Sequence, residues 1–307
     1  MTPKEIRDIA ASVKYRLLAL ARERHEDLQL ILTSYALERL LYRISRSPHR
    51  DQFVVKGAML FSVWRHQPHR MTRDLDLLGR GTDAVPQIEQ SFRELCALPV
   101  EPDGIEFLAE TVTGEEIREE QEYGGVRITM QALLGKARIP VQVDIGFGDA
   151  VTPGPEEMVF PALLDSPAPR LRGYPRETVI AEKLHAMAVL GIANSRMKDF
   201  YDLWILARLF EFDGDNVRRA IAATFAARRT PVPTECPFAL TEEFATDPAK
   251  QVQWQAFVRR GRLMETELVL SEVAAALRDF LVPPTLAAAA GAPFHSTWQS
   301  PGPWLAL

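Results

Sequence analysis

The amino-acid sequence predicts an α+β protein, with strands and helices mixed in its first half and helices nearly alone in its second. Three observations carry this expectation. Short apolar runs with a period of two, "DQFVVK", "TRDLDLLG" and "VQVDIGF", all precede residue 150. Apolar residues at helical spacing dominate after residue 175, in "RETVIAEKLHAMAVLG", "MKDFYDLWILARLF", "DNVRRAIAATFAARR" and "ETELVLSEVAAALRDFLV". Between them, "PGPEEMVFPALLDSPAPRLRGYP" crowds proline and glycine together, as a linker or wrapping segment does. The expected domains are residues 1–152, a linker at 153–175 and a helical domain at 176–307. A chain of 307 residues, 47% of them hydrophobic, can bury two cores, and a disordered reading is excluded.

Taken in order, Thr2-Pro3-Lys4-Glu5 supplies an N-cap, a proline at the first helical position and a capping-box acid, followed by helical periodicity to about Leu20. A second helix, "DLQLILTSYALERLLYRISRSP", stops near Pro48. The net positive charge of these first 50 residues is assigned to a solvated face of two packing helices. "DQFVVKGAMLFSVW" then reads as strand, glycine turn and helix. "TRDLDLLG" is the next strand, residues 84–98 a helix, and "GVRITMQALLGKARIPVQVDIGFGD" two strands around a turn at "GKARIP". The tail "GAPFHSTWQSPGPWLAL" is too rich in Pro, Gly and Trp for a regular element, so its aromatic residues are expected to pack irregularly on the body. No internal repeat is visible.

A formal charge of −5 and a pI near 5.8 exclude a protein that coats nucleic acid by bulk electrostatics. Any such partner must be met at a local site. Cys96 and Cys236, the only two cysteines, exclude a disulfide framework and imply a reduced, cytoplasmic setting. The charged N-terminus lacks the apolar core of a secretory signal, and no apolar run reaches the length of a membrane span.

The chemistry centres on Asp74 and Asp76. Residues two apart on a strand share a face, so both acids point one way while Leu75 and Leu77 point into the core. Two carboxylates held close repel each other unless a cation neutralises them, and an oxygen-only site suits Mg²⁺. "VQVDIGF" repeats the alternation and offers Asp144 as a third acid on a neighbouring strand. Three carboxylates on one sheet face can hold two metal ions about 4 Å apart, an arrangement that serves phosphoryl or nucleotidyl transfer. Upstream, Lys56-Gly57-Ala58 sits where a strand hands over to a helix, so backbone N–H groups can approach a phosphate closely. Downstream, Lys183 lies on a largely apolar helix as a point charge for a triphosphate. Asp199 and Asp202 share one face of the following helix, close after Arg196 and Lys198.

Each part also has a structural explanation. Asp-x-Asp occurs on exposed strand edges, Gly57 could serve a turn alone, and Lys198 with Asp202 could form an exposed i, i+4 pair. His66 and His69 flank Pro68 in an expected loop and lack a completing ligand. Arg259, Arg260 and Arg262 read as a solvated helix end more readily than as a contact to an RNA backbone.

The order "VVKGAMLFSVW", "RMTRDLDLLG" and "VQVDIGF" resembles the DNA polymerase β-like nucleotidyltransferase superfamily. With "ETVIAEKLHAMAVLG" and "SRMKDFYDLWIL", it is similar to one branch in particular, the AbiEii/AbiGii toxin family that includes the MenT toxins. The resemblance covers about residues 35–210. It implies a small mixed β-sheet with flanking helices, a mainly helical C-terminal domain, use of an NTP with Mg²⁺, and a toxin restrained by a separately encoded antitoxin. For MenT-like members it further implies nucleotide transfer to the 3′ acceptor end of tRNA.

By this resemblance Gly57 and Ala58 match the Gly-Ser or Gly-Gly phosphate turn, Asp74 and Asp76 the metal-binding acids, and Asp144 the superfamily's third acid. Lys183 matches the lysine of the first downstream helix, and Asp199 the acid of the "KDFYDL" segment, with Asp202 as the alternative. In the role assignment that follows, Asp74, Asp76 and Asp144 hold metal, while Lys56, Gly57, Ala58, Lys183 and Asp202 hold the nucleotide. Asp144 also helps deprotonate the attacking 3′-hydroxyl, and Asp199 orients Lys183 or the nucleotide. Ala58 departs from the pattern by removing a serine hydroxyl, though its backbone N–H survives. Two rivals remain: a transferase of the same fold that modifies a small molecule such as an aminoglycoside or a protein hydroxyl, and a non-catalytic binding module on this scaffold.

Overall fold

A computed structural model describes residues 8–65, 72–118, 124–261 and 268–306. The expected Thr2–Glu5 cap, His66, His69 and Arg262 lie outside the described residues. The chain divides into two units, Met1–Gly148 with Glu156–Gly173, and Asp149–Pro155 with Tyr174–Leu307.

In the first unit, α1 (Ile9–Glu23) opens behind Asp8, whose carboxylate accepts from the Ala11 N–H at 2.8 Å. Its buried stripe is Val13, Leu17 and Ala21, spaced four apart. Asp27 caps α2 (Leu28–Arg46) in the same way. The solvated face expected for the basic residues here is corrected at two of them, because Arg39 and Arg43 are buried. Each is paired: Arg43 donates to Asp103 at 2.7 Å, and Arg39 meets Glu38 at 2.6 Å and donates to the Pro167 carbonyl at 2.8 Å. Buried charge is tolerated only with such partners.

The remaining elements of this unit are β1 (Phe53–Lys56), α3 (Met59–Arg65), β2 (Asp74–Gly79), α4 (Val85–Ala97), β3 (Ile105–Arg118), β4 (Gly124–Leu134), β5 (Ala137–Phe147), β6 (Glu156–Val159) and β7 (Arg170–Gly173). They build a seven-stranded sheet in the order β3-β4-β5-β2-β1-β7-β6. The sheet is mixed: β2–β5 and β1–β7 are parallel, and the other pairs antiparallel. The linker expected at 153–175 thus contributes two strands, too short and too closely flanked by proline and glycine to show a period of two.

One sheet face is apolar. Leu75, Val143 and Ile128 lie in one cross-strand row, and Val55, Leu77, Ile145 and Val126 in the next, all buried. Against such rows α4 presents Ile88, Phe92 and Leu95, with Phe92 edge-on to Phe53 at 5.8 Å between ring centroids. The β4–β5 turn is shorter than "GKARIP": only Gly135, at φ +59°, and Lys136 lie outside the strands. Pro140 sits inside β5 because β2 pairs only from Gln142 onward, which leaves no ladder partner there for a missing N–H.

The second unit contains α5 (Arg176–Leu190), α6 (Met197–Leu209), β8 (Phe212–Asp213), α7 (Gly214–Ala227), α8 (Glu242–Thr246), α9 (Pro248–Gly261), α10 (Leu270–Ala289), β9 (Ser296–Trp298) and β10 (Trp304–Ala306). The tail corrects the sequence expectation, since β9 pairs with both β10 and β8 in a three-stranded sheet. Its tryptophans explain why the tail is ordered. Trp298 donates its indole N–H to the Ala207 carbonyl at 2.6 Å, one of the last-turn carbonyls that α6 leaves without an internal donor. α10 runs through Pro283 and Pro284, and the missing N–H of Pro284 orphans the buried Phe280 carbonyl. Trp304 supplies the donor instead, at 2.9 Å. No helix among the described residues is long and apolar enough to cross a membrane.

Candidate active site

The face of the first sheet opposite its apolar rows carries the acids. On β2, Asp74 and Asp76 are half-buried while Leu75 and Leu77 are fully buried, as the alternation requires. The parallel β2–β5 register sets Asp144 directly beside Asp76. One carboxylate oxygen from each of Asp74, Asp76 and Asp144 can be chosen so that all three lie within 4.8 Å of one another. Neighbours fix their orientation. Thr72 donates its hydroxyl to Asp74 Oδ1 at 2.6 Å, and Arg127 on β4 grips Asp144 with Nε–Oδ1 at 2.8 Å and Nη2–Oδ2 at 2.9 Å. Gln142 Nε2 adds contacts to both Asp144 oxygens at 3.3 and 3.2 Å. The Asp144 hydrogen bonds, ahead of the charges of Asp144, Glu115 and Asp74, push the Arg127 guanidinium further up, keeping it a fixed cation. Hard carboxylate oxygens converging on a half-exposed face fit Mg²⁺ in chemistry and spacing.

Gly57 follows β1, whose last residue, Lys56, pairs in register with Asp76. At φ +74° it takes a left-handed conformation, and a Cβ placed on it would fall 2.0 Å from Asp76 Oδ2. Only glycine lets the chain turn under that carboxylate. Ala58 completes the turn, and α3 follows from Met59. The glycine turn and the carboxylates therefore lie side by side.

In the second unit, Lys183 on α5 donates to Asp199 Oδ1 at 2.5 Å and to Asp202 Oδ2 at 2.8 Å, both on α6. Arg196 Nε donates to Asp199 Oδ2 at 2.6 Å. Both aspartates are buried, so Asp202 turns inward rather than forming an exposed pair with Lys198. Burial alone would raise the Asp199 carboxyl, but the charges of Lys183 and Arg196 outweigh it and hold the group below the usual carboxylate range. Two buried carboxylates thus meet two cations, and they fix the Lys183 ammonium.

The structure brings Asp74, Asp76, Asp144 and Gly57 together in the first unit, and Lys183, Asp199 and Asp202 together in the second. Sequence reasoning missed Arg127, Thr72 and Gln142. The available signal for Arg127 was the alternation in "GVRITM", which sets Arg127 and Thr129 on the face opposite buried Val126 and Ile128. Arg259 and Arg260 are exposed in the last turn of α9, consistent with a solvated helix end.

The profile of one protein family, "Nucleotidyl transferase AbiEii toxin, Type IV TA system", matches residues 39–281. Two solved structures, both from Helicobacter pylori, are similar at low identity. One, a candidate nucleotidyltransferase, is 14% identical over 86% of this chain and 94% of its own, with a TM-score of 0.44. The other, JHP933, is 15% identical over 86% and 91%, with a TM-score of 0.45. No curated protein matches the sequence.

Proposed function

Since the chain belongs to the AbiEii nucleotidyltransferase toxin family, matched over most of its length, we propose that it transfers nucleotides from an NTP to an RNA 3′ end, the acceptor stem of tRNA, using Mg²⁺. The observation that carries this reading is the convergence of Asp74, Asp76 and Asp144 beside the Gly57 turn. Asp74 and Asp76 hold the metal, which when bound neutralises charge on the reacting phosphates. Asp144 completes that site and accepts the proton of the attacking hydroxyl.

The backbone N–H groups of Gly57 and Ala58, with Lys56, bind the triphosphate, and backbone donors make the absent hydroxyl at Ala58 tolerable. Lys183, held by Asp199 and Asp202 within the second unit, offers a point charge to a nucleotide phosphate. Catalysis by such parts is positioning and charge neutralisation, not covalent chemistry. The tRNA acceptor is supported by the likeness to MenT toxins, and the type IV toxin family implies a cognate antitoxin. The reaction would take place in the cytoplasm, where NTPs and tRNA meet.

The test is incubation with tRNA, Mg²⁺ and each labelled NTP in turn. Label should appear on RNA, and Asp76→Ala should lower its transfer by about 10²–10³-fold, the size of loss expected when a transition-state charge partner is removed. Label on a small molecule or protein instead, with RNA unlabelled, would replace the acceptor.

A further inference from the structure

The register of the first sheet draws one row across five strands: Lys56, Asp76, Asp144, Arg127 and Glu115. Asp144 stands between Asp76 and Arg127 and faces a choice of cation. The structure assigns it to Arg127. Both of its oxygens are engaged by the guanidinium in a fork, at 2.8 and 2.9 Å, with Gln142 reaching the same two atoms. Such a bidentate pair is directional and about twice as strong as a neutral hydrogen bond. The pair is also sheltered, with the Asp144 side chain 19% exposed and that of Arg127 34%. Directly opposed across antiparallel strands, the two residues are close by construction.

We propose that Arg127 is a positioning residue that sets metal occupancy. It serves as the resident counter-ion of Asp144, so that without nucleotide the protein binds one divalent ion, through Asp74 and Asp76, and Asp144 is withheld from metal. The proposal rests on the nucleotidyltransferase reading of the site and goes beyond it by assigning Asp144 a cation from within the chain. It follows that the three acids are not equivalent. Removing Asp144 leaves the first ion in place, whereas removing Arg127 exposes a third carboxylate to solvent cations.

Titration of the nucleotide-free protein with Mn²⁺, read by electron paramagnetic resonance, tests this without any turnover. Wild type should bind one ion per chain. Arg127→Gln should bind a second, or bind the first about tenfold tighter or more, because an unpaired carboxylate joins the site. Arg127→Lys, which keeps the charge but loses the two-point fork, should fall between wild type and Arg127→Gln. Asp144→Asn should add no ion in the wild-type background, where it leaves the Arg127 charge facing the site, yet cancel the gain in the Arg127→Gln background, a coupling that mere loss of folding cannot mimic. Equal Mn²⁺ binding by wild type and Arg127→Gln, or a gain in Arg127→Gln that Asp144→Asn does not cancel, overturns the proposal while leaving the metal site itself standing. Failure of every form to bind Mn²⁺ overturns both.

Discussion

At the scale of single residues, the site is held by exclusions as much as by attractions. Gly57 is the clearest. A Cβ there would meet Asp76 Oδ2 at 2.0 Å and the Asp76 Cβ at 2.9 Å, on a backbone already at φ +74°. Gly57→Ala should therefore cost about 1–2 kcal/mol in strain and displace a metal ligand. The expected result is a lower melting midpoint together with weaker Mn²⁺ binding, whereas Ala58→Ser should leave both close to wild type. Lys183 differs, because its partners are buried carboxylates. Lys183→Met would take a cation from both and leave Asp199 with Arg196, and the loss of stability should be up to about 3–5 kcal/mol by denaturant unfolding. A loss of activity without that instability would show that the carboxylates keep enough other partners once Lys183 is gone. Gly57 and the acids were legible in the sequence because each obeys a rule of local geometry, a strand–helix turn or a period of two. Arg127 was legible only as far as its face, by the alternation in "GVRITM", and its partner emerges when register places Asp144 opposite.

At the scale of elements, the parts missed by sequence reading are those whose stability comes from distant partners. β3 is acid-rich, and its pairing with β4 shifts register between Leu108 and Thr113, which breaks any simple alternation. β9 and β10 are held by tryptophans whose targets are carbonyls on α6 and α10, invisible from the tail itself. Trp304→Phe keeps a ring for packing but removes the donor to Phe280, so the midpoint should fall by the equivalent of about 1–3 kcal/mol, the cost of a buried unsatisfied carbonyl. The α5–α7 contact carries a pH dependence. His185 is buried with Nε2 2.8 Å from Thr230 Oγ1 and Nδ1 3.3 Å from Arg228. Burial first, and Arg228 next, outweigh nearby Asp149 and push its pKa down from 6.5 to about 4. Between those values the unfolded chain takes up a proton that the folded chain refuses, so stability should fall as pH drops from 6.5 toward 4. Denaturant titrations at pH 7 and pH 5 should show a smaller drop for His185→Gln than for wild type.

At the scale of the whole chain, the order of parts along the sequence announced the nucleotidyltransferase family, but proline and glycine misdirected the reading of 153–175. Those residues mark turns at the ends of β6 and β7, so the expected linker or wrapping segment carries two strands of the first sheet. The chain leaves the first unit after Gly148 and returns to it for Glu156–Gly173. β7 pairs in parallel with β1 at Val55 and Gly173, one strand away from the acids on β2. A fragment ending at residue 152 would lose β7 and leave β1 as a bare edge, which invites strand pairing between molecules. Gly173 also packs against Leu60 of α3 and Met158 of β6, where an added Cβ would come within 2.8 and 2.6 Å, so the same cut uncovers the helix that follows the Gly57 turn. A fragment of residues 1–173 should therefore be monomeric by sedimentation and melt cooperatively, and residues 1–152 should aggregate or melt broadly. If the shorter fragment instead matches the longer in both measurements, the two late strands are decoration, and the support for the turn beneath Asp76 comes from β1 and β2 alone.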